Sequence, residues 1–278
     1  KPTRESRAYR VRYRTFPRVM VVRPSSVSRT KVTACPACGA AGLQPFHRVD
    51  GMPAASCLLA DDGAEAREYP RGSIELALCR ACGFITNTRF DPTIIDYSSS
   101  YEETQSFSPR FRRFAGGLTS RLVDGYGIRD KTVLEIGCGR GDFLAMLCEA
   151  GNNRGIGIDP SYRAGDIQSP ALERMQFIPE FYGEQHAGIE ADLICCRHTL
   201  EHVQSTAEFL QMVRRSIGDR DTVVFFEVPD VARVLRDLSV WDIHYEHCSY
   251  FTLGSLSRLF RQTGFEVLHL ESDFDGQY

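Results

Sequence analysis

Short β-rich runs alternate with amphipathic stretches in the second half of the chain, and this alternation predicts the fold class. Residues 131–136 (KTVLEI) are mostly β-branched or apolar and are followed by a glycine, as in a buried parallel strand. Residues 141–150 (GDFLAMLCEA) have one apolar face and end before Gly151, which predicts a helix, and residues 154–159 (RGIGID) predict a second strand. The order strand, glycine turn, helix, strand predicts an α/β fold with a doubly wound, Rossmann-like sheet.

Four more strands and three helices follow from the same pattern. The predicted strands span residues 175–178, 191–196, 222–228 and 265–271, and two of the predicted helices span residues 205–217 and 252–263. The third helix spans residues 110–126 ahead of the sheet, with Ser108 as its cap and Pro109 in its first turn. The polar, charged segment 61–72 predicts a loop.

The N-terminal quarter of the chain contains two copies of the pattern C-x2-C-G, at Cys35 and Cys38 and at Cys79 and Cys82. A two-residue gap lets both sulfurs of a pair reach one metal ion, and four thiolates complete a closed, tetrahedral structural zinc site. A redox C-x-x-C pair and a rubredoxin-like iron site are the alternatives. His47 is a further candidate ligand, although four thiolates already suffice. We assign no catalysis to the site, because a closed site has no open position for a substrate.

Basic residues are concentrated in the first 31 residues, which carry ten Lys or Arg and a single acid, Glu5. The net charge of the whole chain is −3, so residues 32–278 hold 23 basic and 35 acidic side chains, a charge of −12. A negative charge of this size disfavours a polyanionic substrate such as RNA. We expect residues 1–31 to be a disordered leader, with a nucleic-acid arm or an organelle transit peptide as the alternatives.

Composition indicates a globular chain, with 42% hydrophobic and 25% charged residues. No apolar run approaches the ~18 residues of a membrane span, and no apolar segment of a secretory signal follows the basic stretch. We therefore expect a location in the reducing cytoplasm. In that compartment, paired cysteines bind metals more often than they form disulfides.

The turn after the first predicted strand carries residues suited to a cofactor. Those residues are Glu135, Gly137, Cys138, Gly139 and Gly141. The glycines let the backbone approach a ligand closely at a helix N-terminus. The acid before the first glycine would repel a pyrophosphate but suits a ligand that has an ammonium group and no phosphate. Asp159, which ends the second strand and precedes Pro160, can accept hydrogen bonds from two ribose hydroxyls.

The run V-L-E-I-G-C-G-x-G resembles motif I of the class I S-adenosylmethionine (SAM) methyltransferases, and Asp159 matches the ribose-binding acid of that family. The resemblance covers roughly residues 133–271 and implies SAM as the cofactor. It also implies that Arg197 and His198, which follow the fourth strand, line the cofactor and substrate pocket. The family sheet has a seventh, antiparallel strand between the fifth and the sixth, and we expect that strand to be truncated here. A dehydrogenase and a ligandless Rossmann-like domain are the alternatives.

A second group of titratable residues follows the fifth predicted strand, between Trp241 and Phe251. Two histidines, two tyrosines and two acids occur there, at the carboxyl edge where sheets of this kind bind their ligands. We expect His244, Glu246 and His247 to be functional. The structural alternative is a cluster of satisfied hydrogen bonds.

At this block the sequence resembles one particular group of methyltransferases. A double C-x2-C module, a SAM domain, an E-V-P after the fifth strand and the block Y-E-H-x-S-Y-F occur together in zinc-containing methyltransferases typified by nucleotide-sugar C-methyltransferases. Those enzymes methylate a 4-keto-6-deoxy sugar at C3. Their block is usually H-E-H-L-S-Y-F, which implies that Glu246 and His247 are active-site residues. The first histidine is replaced here by Tyr245, with His244 beside it. A Tyr-rich segment lines the family's sugar pocket, and Tyr101 lies in the corresponding segment here.

The chemistry of methyl transfer suggests a role for each of these residues. A sulfonium methyl is already electrophilic, so the enzyme must align a nucleophile and remove a proton. His247 is the predicted base, because a histidine pKa of about 6.5 suits proton abstraction at neutral pH. Glu246 would orient the substrate, and Tyr101 or Tyr97 would stabilise an enolate oxygen. With a hydroxyl acceptor, the same base would deprotonate oxygen.

Together these observations predict a leader over residues 1–31, a zinc-binding module over 32–106 and a truncated methyltransferase domain over 107–278. The predicted function is C-methylation of a nucleotide-linked keto-deoxysugar, with SAM as cofactor and a structural Zn²⁺. The alternatives are O- or N-methylation of another small molecule, RNA methylation, and a non-catalytic SAM-binding protein. We expect a small-molecule partner, no nucleic acid, no membrane, and a monomer or homodimer.

Overall fold

Two sheets organise the part of the chain that the structure describes. The structure is a computed structural model, and it describes residues 32–56, 58, 60–95, 105–165 and 167–278. The elements of the first half are β1 (Gln44–Pro53), α1 (Gly63–Glu68), β2 (Arg71–Leu78), β3 (Ile85–Asn87) and α2 (Pro109–Gly125). The later elements are β4 (Thr132–Ile136), α3 (Asp142–Gly151), β5 (Arg154–Ile158), β6 (Met175–Ile178), β7 (Leu193–Arg197), α4 (Thr206–Ile217), β8 (Val223–Glu227), α5 (Val231–Asp237), β9 (Ser249–Tyr250) and α6 (Leu253–Gln262).

The second half of the chain forms a parallel sheet in the order β6-β5-β4-β7-β8. The central strands β4 and β7 are almost wholly buried, because apolar clusters cover both faces of the sheet. The chain proceeds outward from β4 to β6, then returns to the other side of β4 with β7. The strand order therefore reverses between β4 and β7, and ligands of open α/β sheets bind outside the carboxyl ends of the strands at such a point.

The predicted elements of this sheet are confirmed with shifts of a few residues at their ends. The first five predicted strands correspond to β4, β5, β6, β7 and β8, and the helices predicted around them correspond to α3, α4 and α6. The lead-in helix is confirmed as α2, where the Phe111 amide donates to the Ser108 hydroxyl oxygen at 3.3 Å. None of the described helices is long and apolar enough to cross a membrane.

The prediction of a strand over residues 265–271 is wrong. These residues form no ladder with any described strand, and a groove of about 720 Å³ is lined both by them and by β8. Alternating hydrophobicity specifies which face of a segment is buried. It does not supply the neighbouring strand whose N–H and C=O groups complete a ladder.

The prediction of a loop over residues 61–72 is also wrong. That segment contains α1, whose first turn is capped by the Asp62 carboxylate through the amides of Ala64 and Glu65. The start of β2 follows at Arg71. The cap and the good helix formers behind it outweigh the high charge of the segment.

The other sheet is antiparallel in the order β1-β2-β3-β9. Its last strand comes from the C-terminal half of the chain, and Ile85 and Thr86 of β3 pair with Tyr250 and Ser249. This pairing fixes the segment just before β9 against the N-terminal quarter. The sheet thus draws strands from both sides of residue 106, where we predict a domain boundary.

Candidate active site

A cavity of about 280 Å³ opens at the carboxyl ends of β4 and β7, where the strand order reverses. Its lining includes these predicted site residues: Glu135, Gly137, Cys138, Gly139, Arg197, His198, His244 and His247. Four other predicted residues, Gly141, Asp159, Pro160 and Glu246, are not part of the lining. Tyr101 and Tyr97 fall outside the described residues.

The glycine turn after β4 requires a glycine at its first position and is held by Asp159. Gly137 has a φ of +71°, and a Cβ at this position would collide with the Thr199 side chain. A carboxylate oxygen of Asp159 accepts from the Gly139 amide at 2.8 Å and so holds the turn in place. The other oxygen accepts from the Ser161 amide at 2.7 Å. In this arrangement Asp159 shapes the turn instead of lining the cavity.

Glu135 presents a buried carboxyl group to the cavity. Its Oε2 atom has no hydrogen-bond partner among the described residues. Burial raises the pKa of Glu135 to about 8, although the nearby Arg197 charge opposes the shift. A buried carboxylate oxygen without a partner fits a ligand that brings an ammonium group, as the residue type at this position predicts.

Arg197 and His198 meet a buried carboxylate at the end of β8. Arg197 donates to Glu227 through Nη2 at 2.6 Å and lies over the ring of Phe143 at 4.1 Å. The Nε2 atom of His198 lies 2.8 Å from the same Glu227 oxygen. Burial alone would raise the pKa of Glu227, but contacts with His198 and Arg197 hold it below its usual value. The contacts with Glu227 therefore hold the Arg197 and His198 side chains in fixed positions on the floor of the cavity.

His247 lies in the cavity wall with only 8% of its surface exposed. Its Nδ1 atom is 3.0 Å from the carbonyl oxygen of Asp242. Because a carbonyl can only accept, the proton belongs on Nδ1, and Nε2 then carries the lone pair. Burial and the neighbouring His244 lower the pKa of His247 well below its usual value. The imidazole is therefore neutral at physiological pH and has a lone pair for a proton, but its lowered pKa makes it a weaker base than the ordinary value of about 6.5 predicts.

Glu246 and His244 are held by the N-terminal quarter of the chain. The Glu246 side chain is fully buried, and its Oε2 atom accepts from the Ser56 amide at 2.7 Å and from the Ser56 hydroxyl. The same oxygen lies 3.3 Å from Nδ1 of His244. These contacts lower the pKa of Glu246 despite its burial. Glu246 thus lies behind His244, and His244 reaches the cavity.

Tyr245 stands where the block of the nucleotide-sugar methyltransferases that the sequence resembles usually has a histidine, and it does not line the cavity. Its ring packs in an apolar cluster with Ile74 and Leu76 of β2 and covers Gly72, where a Cβ would collide with it. The phenol oxygen accepts from the Asp91 amide at 2.9 Å. The tyrosine therefore stabilises the antiparallel sheet.

Two residues of this site, Glu201 and His202, are not among the site residues predicted from the sequence. They lie in a short turn after β7 and line the cavity. A carboxylate oxygen of Glu201 and ring nitrogens of His202 and His247 lie within 4.8 Å of one another. The Cys248 amide donates to the Glu201 carbonyl at 2.9 Å, which brings the two distant segments together. Their position directly after a central strand is the signal that would have identified them.

The four predicted metal ligands converge in the N-terminal quarter. The sulfur atoms of Cys35 and Cys82 are 3.7 Å apart, those of Cys38 and Cys79 are 3.6 Å apart, and all four lie within 4.8 Å of one another. Zinc–sulfur bonds of about 2.3 Å in a tetrahedron require sulfurs about 3.8 Å apart. The four thiols therefore fit a zinc ion. His47 is exposed on β1 and is not part of the group.

Comparison with known proteins gives the class of this site. Residues 107–270, more than half of the chain, match the family described as "Methyltransferase domain". The chain belongs to this family, and most residues that line the cavity at the glycine turn lie within the matched range. The expectation of a Rossmann-like methyltransferase sheet is confirmed.

A curated relative is the C-methyltransferase NovU of Streptomyces niveus, which is 27% identical over 255 residues. The match covers 87% of this chain and 58% of the relative, so the chain spans somewhat over half the length of that protein. Similar solved structures include magnesium protoporphyrin IX methyltransferase from Synechocystis PCC 6803 (TM-score 0.42, 16% identity, 58% of this chain and 75% of the other). Another is the 1,6-didemethyltoxoflavin-N1-methyltransferase of Burkholderia thailandensis (TM-score 0.37, 16% identity, 54% and 67%).

Proposed function

We propose that this protein transfers the methyl group of SAM to a carbon atom next to the carbonyl group of a small molecule, a nucleotide-linked keto-deoxysugar. Its similarity to a C-methyltransferase supports carbon as the acceptor atom. The observation that carries the proposal is the neutral His247 imidazole, whose Nδ1 is directed to a carbonyl oxygen and whose side chain lines the cofactor cavity.

The described residues fit the cofactor. SAM supplies an electrophilic methyl group on a sulfonium. Glu135 would bind its ammonium group, and the backbone at Gly137 and Gly139 would lie against the ligand, with the carboxylate of Asp159 keeping the turn open. The Arg197–Glu227 pair limits movement of the cavity floor.

His247 is the base of the proposed reaction. Its Nε2 atom takes the proton from the carbon next to the acceptor carbonyl, and the carbanion formed attacks the methyl group. Asp242 holds the ring in the required tautomer through its carbonyl oxygen. His244, whose ring centroid is 3.8 Å from that of His247, limits the rotation of the ring. Glu246 positions His244, and Tyr101 is proposed to contact the acceptor.

The four cysteines would hold a structural zinc ion. Each pair closes a tight turn, in which the Gly39 amide donates to the Cys35 carbonyl and the Gly83 amide donates to the Cys79 carbonyl, both at 2.8 Å. With four thiolates the ion has no open position, so its contribution is to the folding of the N-terminal quarter.

Substitution of His247 tests the proposed base. We expect His247→Ala to lower turnover of a nucleotide-linked 4-keto-6-deoxysugar by about 10²–10⁴-fold, measured by mass spectrometry of the methylated product. The dissociation constant for SAM, measured by calorimetry, should stay within about twofold, because no cofactor contact is removed. The exposed His269 provides the matched control, His269→Ala, which should be fully active. Near-full turnover of the His247 variant would contradict the assignment.

A further inference from the structure

Glu201 is a buried carboxyl group for which the proposed reaction has so far no role. Its side chain is 2% exposed, yet it lies in the wall of the cofactor cavity. Its Oε2 atom has no hydrogen-bond partner among the described residues, and Oε1 lies 3.9 Å from Nδ1 of His198. A buried polar atom without a partner costs free energy in the free protein, which is repaid if a ligand supplies the partner.

The distance between Glu201 and His247 suits an enolisation. Oxygen and nitrogen atoms of the two side chains lie within 4.8 Å of each other. In a ketone the carbonyl oxygen and the neighbouring carbon are about 2.4 Å apart, so two protein atoms this close together can each contact one of them from the same side, at about 3 Å. The Cys248 amide, which donates to the Glu201 carbonyl at 2.9 Å, keeps this separation fixed.

The surroundings of Glu201 favour its protonated form. The titratable groups that face it are His198 and His202 on its own segment, Cys196 at the end of β7, Glu227 on β8, and His247 and Cys248 before β9. Burial, with a smaller effect from the Glu227 charge, raises the pKa of Glu201 to about 8. A protonated carboxyl has an O–H donor, and a buried site can keep a carboxylic acid neutral at pH 7 for this purpose.

We propose that Glu201 is a catalytic residue, which donates a hydrogen bond from its carboxyl group to the carbonyl oxygen of the acceptor while His247 removes the neighbouring proton. This inference rests on the proposed function. The C–H bond breaks, its proton moves to Nε2 of His247, and its electron pair forms the C=C bond of the enolate. The carbonyl π pair moves to oxygen, where the Glu201 O–H stabilises it. The enolate carbon then bonds to the methyl group, the S–CH3 bond breaks, and its electron pair stays on sulfur.

The test follows proton exchange separately from methyl transfer. The full-length, zinc-loaded protein is incubated in D2O with a nucleotide-linked 4-keto-6-deoxysugar and S-adenosylhomocysteine, and deuterium uptake next to the carbonyl is followed by NMR. We expect Glu201→Leu to slow exchange and methyl transfer by about 10²–10³-fold. Glu201→Gln keeps an N–H donor and should lose about tenfold or less. The dissociation constant for SAM should be unchanged in both variants, as in the exposed control Glu190→Gln.

The pH profile separates this role from a purely structural one. In the wild-type protein, the rate should fall above pH about 8, because ionisation removes the donor. In Glu201→Gln this alkaline fall should disappear, since an amide does not ionise. A Glu201→Gln variant that keeps the alkaline fall would overturn the proposal, even if Glu201→Leu fails to fold. A second result would also overturn it. If a chelator abolishes activity while the protein keeps its zinc, a second cation is needed for activity, and Glu201 would then bind that cation as a carboxylate.

Failure of this inference is distinguishable from failure of the proposed function. A wild-type protein that neither exchanges the proton nor methylates carbon in any keto-sugar contradicts both. A wild-type protein that does both, together with an equally active Glu201→Leu, contradicts only the role of Glu201.

Discussion

Two buried carboxyl groups of this protein behave in opposite ways because their partners differ. Glu135 has an oxygen without a partner, and burial raises its pKa to about 8. Glu246 is buried as deeply, but contacts with His244 and Ser56 lower its pKa. The chemistry of each residue therefore follows from what surrounds its oxygens. Glu135 is prepared for a cationic ligand, whereas Glu246 already has one oxygen, Oε2, held by Ser56 and His244, and only its Oε1 is without a partner among the described residues.

Cofactor binding should release a proton from Glu135. Below pH about 8 the free protein holds this carboxyl protonated, whereas the ammonium group of SAM favours the carboxylate. We expect the affinity for SAM to rise between pH 6 and 8, by at most about tenfold per pH unit. Calorimetry in two buffers of different ionisation enthalpy should give a release approaching one proton near pH 7. Glu135→Gln should bind more weakly and without this pH dependence, and a pH-independent wild-type affinity would exclude the role.

At the scale of elements, the cofactor site depends on the turn between β4 and α3. We expect Gly137→Ala to weaken SAM binding by at least about tenfold, since its φ of +71° and the adjoining Thr199 side chain force the turn to move. The matched control is Gly116→Ala in α2, where a Cβ meets no atom within 4 Å. That change should leave SAM affinity unaltered and raise the free energy of unfolding by up to about 1 kcal/mol. Unchanged binding by Gly137→Ala would show that the cofactor does not lie against this turn.

The elements that could be predicted from sequence are those whose signals are local. Residues of β4, the glycine turn and α3 follow one another closely, so periodicity and turn chemistry suffice to identify them and to place Glu135 at a ligand. The segment 265–271 has equally clear alternation, but a strand also needs a neighbour, which no local pattern supplies. Helix α1 is missed because a high density of charged residues is typical of loops as well as of exposed helices.

The same distinction between local signals and long-range contacts applies to the residues of the candidate site. The family resemblance implies Arg197 and His198, and His247 is predicted from the family's block and from its position after the fifth strand. Glu201 and His247 come together only because β9 pairs with β3 and the Cys248 amide bonds to the Glu201 carbonyl. This contact between distant segments is a property of the tertiary structure. The sequence shows both residues but not their proximity.

At the scale of the whole molecule, the four cysteines and the methyltransferase sheet share one apolar cluster. Cys35, Cys79 and Cys82 pack in it with Phe251 next to β9 and with Leu259 of α6. The segment that carries His247 lines the cofactor cavity, and four residues further on Phe251 packs in the same apolar cluster as the cysteines. Loss of the metal should therefore disturb the part of the cavity formed by the His247 segment more strongly than it disturbs the glycine turn after β4.

Removal of one metal ligand tests this connection. We expect Cys79→Ser to lower the zinc content and to cost at least about 2 kcal/mol, which at this chain length lowers Tm by at least about 4–8 °C. Turnover should fall more than SAM affinity. Cys148→Ala, which removes a buried cysteine of α3, is the control and should keep its zinc. Equal zinc content in both variants would contradict the proposed metal site.

The most direct test of the proposed function is to identify the atom that receives the methyl group. The full-length protein is incubated with SAM labelled with ¹³C in its methyl group and with a nucleotide-linked 4-keto-6-deoxysugar, and the product is analysed by NMR. The account predicts a ¹³C-methyl group bonded to the carbon next to the carbonyl. A label on oxygen or nitrogen, or no labelled product from a protein that binds SAM, would contradict C-methylation of such a sugar.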